Sequence, residues 1–549
     1  MTKNPFDNTI LTMKKFLSQI INDLTILSRR GDGDPVIENL CFDSGDVTKN
    51  SLFFALPGTH TNGNKFISQG IRNGAVAVIF QNDGNLDEVF REFPDTKTVF
   101  LQVEAARQAM APVSAAFFDY PSEDMTVYGV TGTEGKSSTV FFTWQLLRLL
   151  GKKAGFISTV ESSLGGDEEP NPEHQTTPEA TIVRRKLWEM NQNGCTHAVV
   201  ESSSHGLSSK LNRLGLVNFD AAAFMNVTHE HLEFHGTFQQ YRDDKCNLFR
   251  TLDKDGIAAV NLDDASAEYF ATATDATVVG FATSLPKKIP LKINKFLLIE
   301  NLAENSYSRN SATVSCDVSV RSRLWTDKSN PEDPNLFGEV GNFRLELPFP
   351  GTFNAYNAVA AMILISIKEN VSLYDLSILA KQLRPVKGRM TEISEGQKFS
   401  VIVDYAHTPS SFMQVFPPMR KRCRGRLIAL FGSAGERDVT KRSLQGKIAA
   451  DYSDILILTD EDPRGEDSMS ILKMIEEGCH QSAVNHTEGE NLFLIPNRFE
   501  AIDKAFSLAK SDDIVLLLGK GHENSIIGKD GPLPYDEITA AKEALKNFL

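Results

Sequence analysis

The chain has 549 residues, of which 41% are hydrophobic and 23% charged, and 71 acidic against 57 basic side chains leave a formal net charge of −14. That length suggests three domains or a little more, and that balance is the one of an ordinary soluble globular protein. It argues against a nucleic-acid partner, which needs a basic surface, and no run has the unbroken apolar length of a membrane span, so no membrane partner is expected.

The six cysteines (Cys41, Cys195, Cys246, Cys316, Cys423 and Cys479) are too scattered for a CxxC site. They are expected as reduced thiols, which suits a cytoplasmic protein. Lys14 and Lys15 precede Phe16 and Leu17, but Ser18, Gln19, Asn22 and Asp23 break the apolar pattern, so no secretory signal is expected.

In chain order, a first αβ unit covers roughly residues 25–120. Ser51–Leu56 reads as a strand, Pro57-Gly58 as a turn, Phe66–Asn73 as a helix and Ala75–Phe80 as a strand. Tyr120–Asp124 reads as a linker, which sets a first domain at 1–124. The second, 125–384, opens with a strand at Thr126–Val130, a glycine-rich turn and a helix at Val140–Leu150. Apolar runs at His197–Val200 and Phe219–Met225 end in Glu201 and Asn226, the pattern of a mostly parallel sheet with ligands beyond its strand ends. Residues 285–340 are polar and irregular and read as β-hairpins or an insertion. The third domain, 385–549, carries strands Phe399–Val403, Leu427–Phe431, Ile455–Leu458 and Ile514–Leu518 between helix-length segments. The expected fold class is therefore α/β throughout.

The sharpest motif is Gly129-Val130-Thr131-Gly132-Thr133-Glu134-Gly135-Lys136-Ser137-Ser138-Thr139, between a strand and a helix. Glycines let the chain turn so that backbone N–H groups and the helix start face phosphates. Lys136 would reach the β- and γ-phosphates and the Ser137 hydroxyl would ligate Mg²⁺. The spacing departs from the general phosphate-loop pattern, which has glycine where Val130 stands.

Three further clusters each allow a plain and a chemical reading. Glu201-Ser202-Ser203-Ser204-His205 is either a helix N-cap or a Mg²⁺ ligand facing the loop. His229, His231 and His235 are structural, or a zinc site of HxHxxxH spacing. Lys245 shares one helical face with Tyr241, Leu248 and Phe249, so it snorkels to solvent, or loses its charge by carbamylation to N6-carboxylysine and becomes a metal ligand.

Together these segments resemble the Mur ligase family, most closely its MurE type, over nearly the whole chain. TGTEGKSST is similar to the family's TGTNGKTTT loop, Thr176-Thr177-Pro178-Glu179 to a substrate-binding turn, and ESSSHGL to an E-x-S-S-H segment. NVTHEHLEFHG resembles N-x-[TS]-x-D-H-L-D-x-H-G, and Lys245 lies fourteen residues after His231, where the family carries its carbamylated lysine. Asn354 and Asn357 match the stretch that helps hold adenine, and Arg389 and Asp404 match contacts to phosphates and ribose. FGSAGERD, DEDPR and GKGHE resemble the family's FGCGGDRD, DNPR and GKGHE segments.

The resemblance implies a small N-terminal UDP-binding domain, a central phosphate-loop domain and a C-terminal Rossmann-like domain that binds the incoming amino acid. It implies an ATP- and Mg²⁺-dependent amide ligase acting on UDP-N-acetylmuramoyl dipeptide and a diamino acid (diaminopimelate, lysine or ornithine), with a monomer expected. Lys136, Glu201, His231 and Lys245 would be catalytic, and Ser137, Glu201, His231 and Lys245 metal-holding. ATP would meet Gly132, Thr133, Glu134, Gly135, Lys136, Ser137, Ser138, Asn226, Asn354, Asn357, Arg389 and Asp404. The UDP substrate would meet Ser44, the Gly58–Gly63 turn, Thr176, Thr177, Ser203 and Arg213. The amino acid would meet Arg437, Glu461, Asp462, Arg464, Gly519 and Glu523. Glu461 and Asp462 stand for Asp and Asn of DNPR, extra negative charge that favours a distal ammonium, unless Arg464 merely pairs with Asp462 or Glu466. Asp43-Ser44-Gly45 departs from the family's Asp-Ser-Arg, and the segment before Arg213 is two residues longer than usual. The alternatives are another Mur ligase or a folylpolyglutamate-synthetase-like ligase, a P-loop ATPase or kinase, and a non-catalytic protein on a ligase fold.

Overall fold

The computed structural model describes residues 13–58, 62–81, 86–173, 175–228, 230–308, 311–327 and 329–548. Part of the Gly58–Gly63 turn, and His229, lie outside them.

Alternation of apolar residues builds the first sheet. Leu52, Phe54, Ala77 and Ile79 face one core, shared with the helix Ala106–Phe117, while Phe53, Val78 and Phe80 face another. Its strands run in the order Ser28–Arg30, Val99–Val103, Ala75–Gln81, Ser51–Ala55, Asn39–Cys41, all parallel except the first. The expected Tyr120–Asp124 linker begins with a tight turn, Asp119 and Tyr120 both having left-handed φ, 55° and 51°.

Among the described residues the central sheet has eleven strands, in the order Glu169–Pro170, Glu161–Ser163, Ala154–Ile157, His197–Glu201, Thr126–Thr131, Ala221–Phe224, Ile257–Asn261, Thr277–Ala282, Lys295–Ser308, Ser311–Arg323, Phe337–Leu347. Its middle is parallel, and registers of Val130 with Glu201 and of Thr131 with Phe224 let three neighbouring strands end side by side. The helices Lys136–Leu149 and Asn354–Lys368 cover one face and the helix Phe238–Arg250 the other. Residues 285–340, expected as β-hairpins or an insertion, do supply antiparallel hairpins, whose long strands extend this sheet. Their polarity reflects one solvent-facing side, as in Phe337–Leu347, where buried Phe343, Leu345 and Leu347 alternate with exposed Arg344 and half-buried Glu346.

The third sheet runs Thr391–Ile393, Ser400–Asp404, Ile514–Leu518, Leu427–Phe431, Ile455–Leu458, Leu492–Leu494, parallel except the first. Asp404 and Gly519 leave adjacent strand ends, the Gly519 N–H donating to the Asp404 carbonyl at 3.1 Å. All six cysteines are unpaired, and among the described residues no helix is long and apolar enough to cross a membrane.

Candidate active site

The phosphate-type loop sits where those central strands end. The strand continues through Val130, which is fully buried, so the turn needs glycine only from Gly132 onward. Gly135 has φ +83°, and a Cβ there would lie 2.6 Å from Asn357 Oδ1. Asn226 is the loop's template. Its Oδ1 accepts from the N–H groups of Thr133 (3.1 Å) and Glu134 (2.8 Å), and its Nδ2 donates to the Glu134 carbonyl at 3.2 Å. Asn226→Ala would orphan these groups at a cost of about 1–3 kcal/mol. We expect nucleoside-triphosphate affinity to fall about tenfold or more, read by calorimetry. An unchanged affinity would contradict this role.

Glu201 closes the floor of the loop. Its carboxylate accepts from Ser137 Oγ (3.0 Å), Ser158 Oγ (2.5 Å) and the Thr159 N–H (2.9 Å), and it forms no ion pair among the described residues. It ends a strand, and the segment's helix N-cap is Ser203, whose Oγ accepts from the Gly206 N–H, so the segment caps a helix while Glu201 itself faces the loop. Lys136 donates to the Thr133 carbonyl at 2.7 Å.

Lys245 does not snorkel. It is 2% exposed, its amine donates to the Gly132 carbonyl at 2.6 Å, and it lies over the Tyr241 ring at 4.5 Å. Burial, and then the nearby Lys136 charge, hold its pKa well below the usual lysine range.

Among the described residues, His231 and His235 belong to no cluster that could hold a metal. His235 has both ring nitrogens engaged, with Asp244 Oδ2 (2.6 Å) and Ser204 Oγ (3.1 Å). His231 has left-handed φ, 54°, and faces Glu230 and Glu233. Burial and the His231 and His235 rings push His205 down to about 3. Among the described residues no three His, Cys, Asp or Glu side chains converge on a metal position.

Two adjoining cavities open here. The first, about 440 Å³, is lined by residues 133–138, Glu201, Asn226, Tyr356, Asn357, Arg389, Asp404 and Tyr405, among others. The second, about 290 Å³, is lined by Gln175, Ser203, His205, Arg213, Tyr241 and Lys245. They share Lys136, Thr176, Glu230 and His231.

The other expected contact residues are placed as follows. Asn354 lines neither cavity. It donates to the Pro350 carbonyl and accepts from Asn357 Nδ2, and so holds Asn357 in the wall. Thr177 is buried, its hydroxyl donating to the Glu201 carbonyl and accepting from the Ser203 N–H. Ser44 is in the first unit, donating to Gln69 Oε1 at 3.1 Å. The Asp404 oxygens each accept a backbone N–H, from Met390 and Ala406. Arg389 lies over the Tyr405 ring at 4.6 Å, with a buried, unpartnered Nε.

In the third unit, Asp462 is paired with Lys520 at 2.7 Å, and Lys520 also meets Glu523 at 2.5 Å, while Tyr405 donates to Glu523 at 3.2 Å. Asp462 is therefore paired within the protein, although Lys520 is shared with Glu523 and the trio keeps a net negative charge. Glu461 is buried with an unpartnered Oε2, and burial raises its pKa, opposed chiefly by the Lys441 charge. Gly519, with φ +103°, leaves room for it, since a Cβ there would lie 3.2 Å from that oxygen. Arg464 pairs with neither Asp462 nor Glu466. Glu466 is bound by Arg442 (2.9 Å), and Arg464 Nε is buried without a partner. Arg437 is exposed and lines neither cavity.

Glu230, on the wall between the cavities, Glu179 and Lys520 stand in segments singled out from the sequence but were given no role of their own, and Arg107 stands in none. Glu230 had a signal, since it stands where the family pattern has Asp. Glu134 was named, but not its reach to the third unit, where Thr408 Oγ1 donates to its carboxylate at 3.2 Å.

Comparison with known proteins accounts for this arrangement. Models of the Mur ligase family catalytic domain, the Mur ligase middle domain and the Mur ligase glutamate ligase domain match residues 36–118, 130–365 and 388–521. The chain is 47% identical to a UDP-N-acetylmuramyl-tripeptide synthetase of Treponema denticola, over 97% of this chain and 98% of that one. It is 33% identical to a UDP-N-acetylmuramoyl-L-alanyl-D-glutamate–2,6-diaminopimelate ligase of Alkaliphilus metalliredigens, over 96% and 97%. A solved structure of such a diaminopimelate ligase superposes with TM-score 0.57 at 25% identity, covering 93% of this chain and 95% of that one. With three family models in order along the chain and relatives matched from end to end, the protein belongs to the Mur ligase family, in its MurE-type branch.

Proposed function

We propose that this ligase joins a diamino acid to UDP-N-acetylmuramoyl-L-alanyl-D-glutamate, with cleavage of ATP to ADP and phosphate, in the cytoplasm. The observation that carries the reading is the pair of cavities sharing Lys136. One suits a triphosphate, and the other offers Arg213 to a carboxylate on the far side of the same lysine.

In this reading the three units, 1–124, 125–384 and 385–549, bind the UDP end, ATP and the incoming amino acid. ATP lies along the loop towards Tyr356, Asn357 and Arg389. The γ-carboxylate of the D-glutamyl residue attacks the γ-phosphorus, releasing ADP and leaving an acyl phosphate. Lys136 offsets charge on the transferring group. The amine then attacks the acyl carbon, and the carbon–oxygen bond to phosphate breaks. Glu134 and Thr408 join the loop to the third unit, whose closure keeps water from the acyl phosphate.

The donors fit Mg²⁺. Glu201 is a buried carboxylate balanced, among the described residues, by hydroxyl and amide donors, with Ser137 Oγ 3.0 Å away, and hard cations prefer such oxygens. Ser137, Glu201, His231 and a carbamylated Lys245 would hold the metal, which neutralises phosphoryl and acyl oxygens when bound. The low pKa of Lys245 supports carbamylation, because a neutral amine is the form that adds CO₂.

For the amino acid, Glu461 offers an unpartnered carboxylate oxygen to a distal ammonium, and Arg464 offers a guanidinium to a distal carboxylate. A panel of diaminopimelate, lysine and ornithine tests the whole reading. Phosphate release should require the nucleotide-dipeptide and an amino acid together. Steady release without them would favour a P-loop ATPase. Glu461→Gln is expected to lower kcat/KM at least about tenfold for every accepted member, since each carries the ammonium. Arg464→Ala should penalise diaminopimelate alone. A panel indifferent to Glu461→Gln would remove Glu461 from the pocket.

A further inference from the structure

Arg107 belongs to no motif, yet it reaches the substrate side of the molecule. It opens the helix Ala106–Phe117 of the first unit. Its Nη1 lies 2.6 Å from Glu179 Oε1, and Arg213 Nη2 lies 2.9 Å from the same oxygen. One carboxylate oxygen therefore bridges guanidiniums from two different domains. The side chains are 22%, 7% and 10% exposed for Arg107, Glu179 and Arg213, a setting in which charge-assisted bonds are strong and directional.

The surroundings extend the link in both directions. Arg107 Nη2 donates to the Pro57 carbonyl at 3.4 Å, at the turn that precedes Gly58. Gln108 Nε2 donates to the Ser209 carbonyl at 2.9 Å, and Asn212 Nδ2 donates to the Gln108 carbonyl at 3.3 Å. The start of this helix thus grips the segment that carries Arg213. Arg213 Nη1 donates to the Thr177 carbonyl at 3.0 Å, while its Nε is buried without a partner. Two guanidiniums and one carboxylate leave a net positive charge beside the cavity that Lys136 and Glu230 also line.

We infer that Arg107 is a positioning residue: acting through Glu179, it aims Arg213 at the carboxylate-bearing acceptor and ties that aim to the Pro57 turn of the first domain. Recognition of the distal nucleotide and of the reacting end is thereby coupled. This rests on the ligase reading of the same cavity. Without Arg107, Glu179 binds Arg213 alone, the local charge falls to neutral, and the acceptor carboxylate loses its complement.

The test is steady-state kinetics of Arg107→Ala, Arg107→Lys and Glu179→Gln with UDP-N-acetylmuramoyl dipeptide and with the same muramoyl dipeptide lacking UDP. Arg107→Ala should raise KM for the nucleotide-dipeptide at least about tenfold, with KM for ATP and the amino acid within about twofold of the original. Its preference for the UDP-bearing acceptor should shrink, and Arg107→Lys should recover part of both effects. Glu179→Gln should move the same two readouts. Should Arg107→Ala fail to fold, Arg107→Gln carries the same expectation. An unchanged acceptor KM, or a parallel rise in all three KM values with the UDP preference intact, would overturn the inference while leaving the ligase reading standing. If the unmodified enzyme fails to turn over the nucleotide-dipeptide, the ligase reading itself falls.

Discussion

Lys245→Ala is expected to lower turnover by about 10³-fold and to regain part of it when acetate or another small carboxylate is added. The expectation follows from where the amine is held. It is buried, accepted by one backbone carbonyl at 2.6 Å, and paired with no carboxylate among the described residues. A lysine in that position is costly as a cation, and Lys136 nearby makes it costlier. Addition of CO₂ converts the neutral amine into an anion beside Lys136, which turns an electrostatic conflict into an attraction. Alanine removes the anchor but leaves a space that a free carboxylate can enter, so rescue distinguishes a carbamate from a merely structural lysine. Phosphate release measured across acetate concentrations reads the effect. Full activity in the variant, or a loss with no response to any carboxylate, would end the carbamate reading.

Lys136→Met should reduce kcat by about 10²–10³-fold while KM for the nucleotide-dipeptide changes much less. Lys136 lies on the wall common to both cavities, and its charge is most valuable when the γ-phosphoryl is between donor and acceptor. Methionine keeps most of the volume and removes the charge, which isolates the electrostatic contribution. Single-turnover formation of ADP is the measurement. A variant whose defect lay wholly in KM for ATP would show that Lys136 binds the ground state and the transition state equally.

The parts of this site that were legible in the sequence are those fixed by local geometry. Glycine spacing announces the loop, because left-handed backbone at Gly135 tolerates little else. The helical periodicity of Tyr241, Lys245, Leu248 and Phe249 put Lys245 on the buried face, which the structure bears out. What escaped was set by contacts between distant segments. Asp462 looked like charge available to a substrate, and only folding brings Lys520 to pair with it. Arg107 and Glu179 are 72 residues apart in sequence and carry no periodic signal that would pair them.

The most direct test of the acyl-phosphate account uses acceptor nucleotide-dipeptide labelled with ¹⁸O in the D-glutamyl γ-carboxylate, turned over with ATP and the accepted amino acid. The account predicts one labelled oxygen in each phosphate released, since the carboxylate oxygen that attacks phosphorus leaves with it. Phosphate released without label during amide formation would contradict it.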